Sequence, residues 1–228
     1  MIAPLTTAAE ALRHVPEDVP LVAVEAGPGG GIPVVEVDQF SGAARATRHL
    51  LDLGHATVWH IAGPADFLEA GRRLDGWRHT LETAGVEPPP PLMGDWSSRS
   101  GYELGRRLAS DPEVTAVFVA NDQMALGVLR AMHEQRRRIP ADVSIIGFDD
   151  IPEAAYFLPP LTTVRQDFIE LGNRALRLML ETIDDGAGPR GVASVQPELI
   201  VRASTGGAPR TAAASAARVT GVVDPRGM

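Results

Sequence analysis

The sequence predicts an α/β fold built on parallel sheets. Short runs of β-branched and other apolar residues alternate with amphipathic helical segments along most of the chain, which is typical of strands joined by crossover helices. Two runs, 115–119 and 143–148, are dominated by apolar residues, as expected for strands buried on both faces. With 228 residues and 44% hydrophobic content, the chain can bury a large core in one domain or in two lobes.

The elements of the N-terminal half follow from periodicity and from the residues that interrupt it. Leu74, Trp77 and Leu81 recur at three- and four-residue spacing, so they share one face of a helix. Gly54 suits the left-handed position that follows a helix. The glycine-rich segment 27–31 leads into a strand and lacks the Lys-Ser/Thr pair of a phosphate loop, so we interpret it as a flexible turn. The predicted elements are strands at 19–24, 33–37, 57–62 and 92–93, and helices at 41–52 and 69–84.

The C-terminal half repeats the same alternation. Asn121 is suited to cap a helix that runs towards Arg136. A loop with Asp149 and Asp150 follows the strand at 143–148. The other predicted elements are a helix at 98–109, a strand at 115–119, a segment at 161–164, a helix from 168 to about 183 and a strand at 198–201. Residues 205–228 are rich in Gly, Ala, Pro and Thr without periodicity, which predicts a disordered tail.

Charge and composition narrow the classes of function. The net charge of -8 repels phosphate backbones, which disfavours DNA binding by this chain alone. The absence of cysteine excludes disulfides and thiolate metal sites. The N-terminus has no charged region followed by a long apolar stretch, so we expect a cytoplasmic protein that neither is secreted nor spans a membrane. His55 and His60 are not at the helical spacing of a zinc site, and we predict no metal and no cofactor.

Several motifs, in order and spacing, resemble the lactose-repressor-type (LacI/GalR) family of bacterial transcription regulators. The resemblance covers residues 2–204, and the segments GDWS at 94–97 and SG at 100–101 are most similar to the lactose-repressor branch. The motifs are LGH at 53–55, IAGP at 61–64, RLDGW at 73–77, ANDQMALG at 120–127, IGFDD at 146–150 and PPLTTVRQ at 159–166.

The resemblance implies a two-lobed, periplasmic-binding-protein-like fold with parallel sheets. It places 1–53 and 167–195 in the N-terminal lobe and 54–166 and 196–204 in the C-terminal lobe. Family members bind operator DNA through a helix-turn-helix head. The resemblance places that head, the hinge helix and the first strands upstream of Met1, so the first lobe is expected to be truncated. A homodimer packed largely through the second lobe is also implied.

The family binds its effector in the cleft between the lobes, and a sugar-like effector is implied. A sugar offers vicinal hydroxyls and an apolar ring face, so its site needs planar polar side chains and an aromatic surface. Ser41 and Glu69 match positions near the cleft but differ in type from the lactose-repressor branch, which leaves the identity of the effector open. The expected effector-binding residues are Arg73, Trp96, Asn121, Asp149, Gln166 and Phe168.

Four of these residues also have simpler interpretations. Asn121 could serve only as a helix cap, and Asp149 could hydrogen-bond its own loop. Arg73 alone would be read as part of a solvated helix face, and Trp96 as a core aromatic. The sequence alone leaves these alternatives open.

The leading hypothesis is therefore the effector-sensing core of a transcriptional regulator, a binding protein without catalytic residues. A periplasmic sugar-binding protein of a transporter is the alternative on the same fold. An enzyme on a doubly wound sheet ranks last, because no Gly-x-Gly-x-x-Gly turn follows a predicted strand and no nucleophile, histidine and acid stand in a recognisable order.

Overall fold

Five helices and nine strands make up the described part of the chain. The computed structural model describes residues 15–16, 19–26, 32–185 and 191–209. The helices are α1 (Gln39–Asp52), α2 (Leu68–Thr83), α3 (Ser98–Ala109), α4 (Asp122–Glu134) and α5 (Phe168–Asp185). The strands are β1 (Ala23–Val24), β2 (Val34–Val37), β3 (Trp59–Ala62), β4 (Leu92–Met93), β5 (Ala116–Val119), β6 (Ser144–Asp149), β7 (Thr162–Arg165), β8 (Val192–Val195) and β9 (Glu198–Ile200). A short 3-10 helix spans Pro152–Tyr156.

The strands form two sheets, as the two-lobed prediction requires. The first lobe has a parallel three-stranded sheet in the order β1-β2-β8. The second lobe has a six-stranded sheet in the order β4-β3-β5-β6-β7-β9, in which only β9 runs antiparallel to its neighbour. The chain crosses between the lobes after β2, after β7 and after β8, so both lobes are built from separate stretches of sequence.

The central strands of the second lobe are buried on both faces because helices cover each side. Side chains alternate across a strand, and β5 sends Val117 and Val119 to one face and Ala116 and Phe118 to the other. Helices α3 and α4 cover the first face, and α1 and α2 cover the second. In the first lobe, α5 packs on the face that carries Val35 of β2.

Helix α1 packs on the six-stranded sheet. Ala43, Ala46 and Leu50 join Trp77 and Phe118 in one buried apolar cluster. The family resemblance placed residues 1–53 in the first lobe, whereas the apolar face of α1 packs on the sheet of the second lobe. The helix also begins earlier than the predicted residue 41, because Asp38 accepts a hydrogen bond from the Ser41 amide and caps it.

The predicted tail boundary at residue 205 also differs from the structure. The Oγ of Ser204 donates to the carbonyl of Ile145, and the Gly206 amide donates to the Oγ of Ser144. The Ala208 amide donates to the carbonyl of Leu53. Residues 204–208 therefore lie against the second lobe. The predictions for 1–14, for the turn at 27–31 and for 210–228 fall outside the described residues.

Gly54 has a φ of 89°, so the predicted left-handed residue after α1 is confirmed. None of the helices in the described ranges is long and apolar enough to cross a membrane.

Candidate functional site

Polar side chains collect where the parallel strands of the second lobe end. Asp149 is the last residue of β6, Gln166 directly follows β7, and Asn121 follows β5. Trp96 lies in the loop after β4. The carboxyl ends of parallel strands meet at one edge of a sheet, where open α/β folds bind ligands. This edge adjoins the crossings between the lobes.

Arg73 of α2 reaches this edge and is only 4% exposed. Its Nε donates to the Oε1 of Gln39 at 2.9 Å, and its Nη1 donates to the carbonyl of Ala120. Its Nη2 lies 3.6 Å from the Oδ1 of Asp149, and the guanidinium carbon is 3.9 Å from the ring centroid of Phe148. Burial lowers the pKa of Arg73, and nearby carboxylates, Asp149 foremost, oppose that shift. The guanidinium is thus held on one face by a ring and at its edges by acceptors.

Two glutamines at the lobe crossings complete the network. Gln39 follows the first crossing, and its Nε2 donates to the Oε1 of Gln166 at 2.8 Å. The Nε2 of Gln166, at the second crossing, donates to the Oδ1 of Asp149 at 2.7 Å. Burial raises the pKa of Asp149, whereas Arg73 and this hydrogen bond oppose the rise. Arg73, Gln39, Gln166 and Asp149 thus form a closed ring of polar contacts. The ring joins the chain segments that cross between the lobes after β2 and after β7 to α2 and β6 of the second lobe.

Asn121 does more than cap a helix. Its Oδ1 accepts from the Met124 amide at 2.9 Å, as a cap does, and its Nδ2 donates to the carbonyl of Trp96 at 3.1 Å. The Trp96 ring lies 5.6 Å from the Arg73 guanidinium carbon. It also packs so closely on Gly63 that a Cβ there would collide with the ring. Asn121 and Gly63 therefore fix the position of this aromatic wall.

Backbone strain is concentrated just beyond the carboxyl ends of strands in both lobes. Five non-glycine residues of the described chain have positive φ, and four of them are Glu25 at 56°, Trp96 at 71°, Asp149 at 112° and Asp150 at 54°. The fifth, Arg136, lies just beyond α4. Strained conformations of this kind persist where the surroundings enforce them and cluster at functional sites.

Buried acidic residues hold the loop after β6 in place. The Oδ2 of Asp122 accepts from the Ile151 amide at 2.9 Å, and burial raises the pKa of Asp122 to about 7. Asp150 accepts from Arg165 at 2.7 Å and from Arg202 at 2.6 Å. Asp149 therefore lies at the end of β6, directly before a loop that Asp122 and Asp150 anchor.

A cavity opens between the lobes beside the Arg73 network. It is lined by Glu25 after β1, by Glu36 of β2 and Gln39 of α1, and by Glu69 and Arg72 of α2. Burial is the main cause that raises the pKa of Glu25 to about 7, and repulsion from Glu69 and Glu36 adds to it. Burial also raises the pKa values of Glu36 and Glu69. In the part of the chain that the structure covers, no group of three or more metal-ligating side chains could hold a metal ion.

The structure brings five of the six expected residues together, namely Arg73, Trp96, Asn121, Asp149 and Gln166. Phe168 begins α5 and its amide donates to the carbonyl of Gln166 at 3.1 Å, whereas its side chain is 58% exposed. Sequence reasoning missed the roles of Gln39 and Phe148. No local pattern marks Gln39, because its partners are 34 and 127 residues away.

Comparisons with known proteins agree with this architecture. Residues 47–205 match the model of the periplasmic binding protein-like domain. The HTH-type transcriptional repressor PurR of Haemophilus influenzae strain PittEE is 36% identical over 192 residues, which is 82% of this chain and 57% of that repressor. The chain thus spans little more than half the length of that curated relative.

Two solved structures are similar over most of the chain. A dimeric Lac repressor with a C-terminal deletion and one substituted residue superposes with a TM-score of 0.82 at 32% identity, covering 90% of this chain and 77% of that one. A complex of the transcriptional regulator CelR with cellobiose gives a TM-score of 0.74 at 34% identity, covering 82% of this chain and 59% of that one.

Proposed function

Because this chain belongs to the LacI family of transcriptional regulators and contains their periplasmic binding protein-like core, we propose that it senses a sugar-like effector in the cleft between its lobes. The observation that carries the proposal is the ring formed by Arg73, Gln39, Gln166 and Asp149. This ring couples two lobe crossings to the edge where open α/β sheets bind ligands. A ligand bound there would contact groups whose positions depend on how the lobes are closed.

The chemistry of the edge suits a polyhydroxylated ligand. Asp149 supplies a planar acceptor for neighbouring hydroxyls, and the buried guanidinium of Arg73 holds that carboxylate in position. The exposed part of the Trp96 ring can stack on the apolar face of a sugar. The CelR structure contains cellobiose, which supports a carbohydrate as the class of ligand.

A regulator is favoured over a transport protein, because the relatives that match this chain are transcriptional repressors. In the complete regulator, effector binding would shift the equilibrium between two lobe arrangements and so alter the binding of operator DNA by a separate head. We propose a binding function without catalysis, and a cytoplasmic location, where operator DNA lies.

Thermal unfolding in the presence of sugars and purine bases tests the proposal. A sugar at about a hundred times its Kd should raise the Tm by roughly 5–10 °C. Asp149→Asn should weaken binding of that sugar by about ten- to a hundredfold, because it removes a charged acceptor while keeping the shape of the side chain. The control is Asp75→Asn, which alters an exposed carboxylate of α2 and should leave binding unchanged. Stabilisation by no sugar, or equal affinities in the two variants, would contradict the assignment.

We further propose that the chain forms a homodimer through the second lobe. Leu126, Tyr156 and Leu158 are 43%, 88% and 92% exposed. They lie on or next to α4 and the 3-10 helix, which cover the same apolar cluster of that lobe. The similar Lac repressor is described as dimeric, so a second copy of the chain is the partner we assign to this patch.

Light scattering distinguishes a dimer formed through the second lobe from one formed through α5 of the first lobe. The unaltered chain should be dimeric, and Leu158→Asp should make it monomeric, because a charge buried at a subunit interface is strongly unfavourable. Leu180→Asp, on an exposed apolar position of α5 in the first lobe, should remain dimeric. A monomeric unaltered chain, or a dimer lost only in the Leu180 variant, would overturn the second-lobe interface.

A further inference from the structure

Phe67 adds a second aromatic ring to the edge that carries Trp96. It lies in the loop between β3 and α2, directly before Leu68 and Glu69, which line the cavity. Its ring centroid is 5.7 Å from that of Trp96, and the two ring planes make an angle of 85°. This is the edge-to-face arrangement that aromatic pairs prefer. The two half-buried rings thus form an aromatic corner beyond the carboxyl ends of β3 and β4.

Phe67 occupies a position that usually belongs to a polar residue. It is the N-cap of α2, and its side chain makes no capping hydrogen bond. Ser, Thr, Asp and Asn are preferred there because their side chains accept from free amides of the first helical turn. Asp38 caps α1 in this way, Ser97 caps α3 and Asn121 caps α4. A residue that breaks such a local rule at the edge of a cleft indicates a functional reason for its presence.

Packing does not account for the ring of Phe67. Among the described residues, it joins none of the four buried apolar clusters. The ring is also not needed to hold Trp96, since the Asn121 side chain donates to the Trp96 carbonyl and the Trp96 ring packs on Gly63. The aromatic surface of Phe67 is therefore available to a ligand.

We propose that Phe67 determines the specificity of the effector site by binding a second sugar ring, so that a disaccharide is bound in preference to its single sugars. The proposal rests on the proposed function and specifies its ligand. Because the ring planes of Phe67 and Trp96 are nearly perpendicular, one flat sugar ring cannot stack on both. Two sugar rings joined by a rotatable glycosidic bond can follow the corner, with the first ring on Trp96 and the second against Phe67.

Calorimetry with disaccharides and their component sugars tests the proposal on the full chain. Cellobiose and maltose are compared with glucose, and lactose and melibiose are compared with glucose and galactose. At least one disaccharide should bind about tenfold or more tightly than its components, as the burial and stacking of one more ring predict.

Phe67→Ser separates recognition from stability, because it removes the ring and supplies a preferred cap. The preference for the disaccharide should fall below about threefold, whereas the affinity for the component sugars should stay within about twofold of the original. The Tm should be unchanged or higher. Phe67→Tyr keeps the ring and should retain the preference. The matched control is Tyr102→Ser, which removes a half-buried ring on the side of α3 that faces Arg130 and Glu134 and should also retain it.

The outcomes separate this inference from the function on which it rests. Component sugars that bind as tightly as every disaccharide would overturn the role of Phe67 and leave the proposed function standing, as would a preference that survives in Phe67→Ser. A Tm lowered by more than about 5 °C in Phe67→Ser, with equal losses of affinity for both kinds of sugar, would show that Phe67 serves the fold and not specificity. Binding of no sugar at all would contradict the proposed function and the inference together.

Discussion

Arg73→Met is expected to destabilise the protein by about 3–5 kcal/mol, the range for removing one partner of a buried charge network. Arg73 is almost completely buried, and its guanidinium contacts Gln39, Ala120 and Asp149. Methionine fills much of the same volume but donates no hydrogen bond. The carboxylate of Asp149 and the carbonyl of Ala120 would lose a donor, and the negative charge of the cleft would increase.

The neighbouring arginine provides the matched control. Arg72 is exposed at the rim of the cavity, so Arg72→Met should change the free energy of unfolding by less than about 0.5 kcal/mol. Urea denaturation of both variants measures the difference. A loss of less than about 1 kcal/mol for Arg73→Met would mean that the network contributes little to folding.

A second large effect is expected from Gly127→Ala. Helices α3 and α4 approach each other so closely that a Cβ on Gly127 would lie within 3 Å of the Ser98 carbonyl oxygen and the Tyr102 nitrogen. These are backbone atoms, which cannot rotate away as a side chain can. The helices would have to separate, so the substitution should destabilise the protein by about 3 kcal/mol or more.

Two other helical glycines test whether packing is the cause. An added Cβ meets no atom within 4 Å at Gly71 of α2 or at Gly172 of α5. Alanine at either position should stabilise the protein by about 0.4–1 kcal/mol, because alanine has less conformational freedom to lose on folding. If Gly127→Ala were as stable as these controls in chemical denaturation, the close approach of α3 and α4 would not limit stability.

The sequence predicted most of the candidate site, because the motifs that resemble the family contain the residues concerned. Arg73, Trp96, Asn121, Asp149 and Gln166 do converge. Phe168 lies next to them through the hydrogen bond from its amide to the Gln166 carbonyl, and its place at the start of α5 leaves its side chain exposed. Whether these residues bind an effector stays a prediction until binding is measured.

Some features could not be read from the sequence, because they depend on distant partners. Gln39 is unremarkable as the first residue of a helix, yet it joins Arg73 to Gln166. The family resemblance placed helix α1 in the first lobe, but its apolar face packs on the larger sheet. Gly206 and Ala208 are small residues of a kind common in tails, and only the bonds of their amides to Ser144 and Leu53 distinguish them.

By itself, the sequence determined the alternation of strands and helices, the buried central strands and the polar residues at their carboxyl ends. These features depend on periodicity and on neighbours within a few residues. The tertiary structure alone decided which lobe takes α1, how Gln39 closes the polar ring, and that Glu25 and Glu69 face one cavity. Burial and electrostatic repulsion depend on distances between elements far apart in the chain, and only the folded arrangement sets those distances.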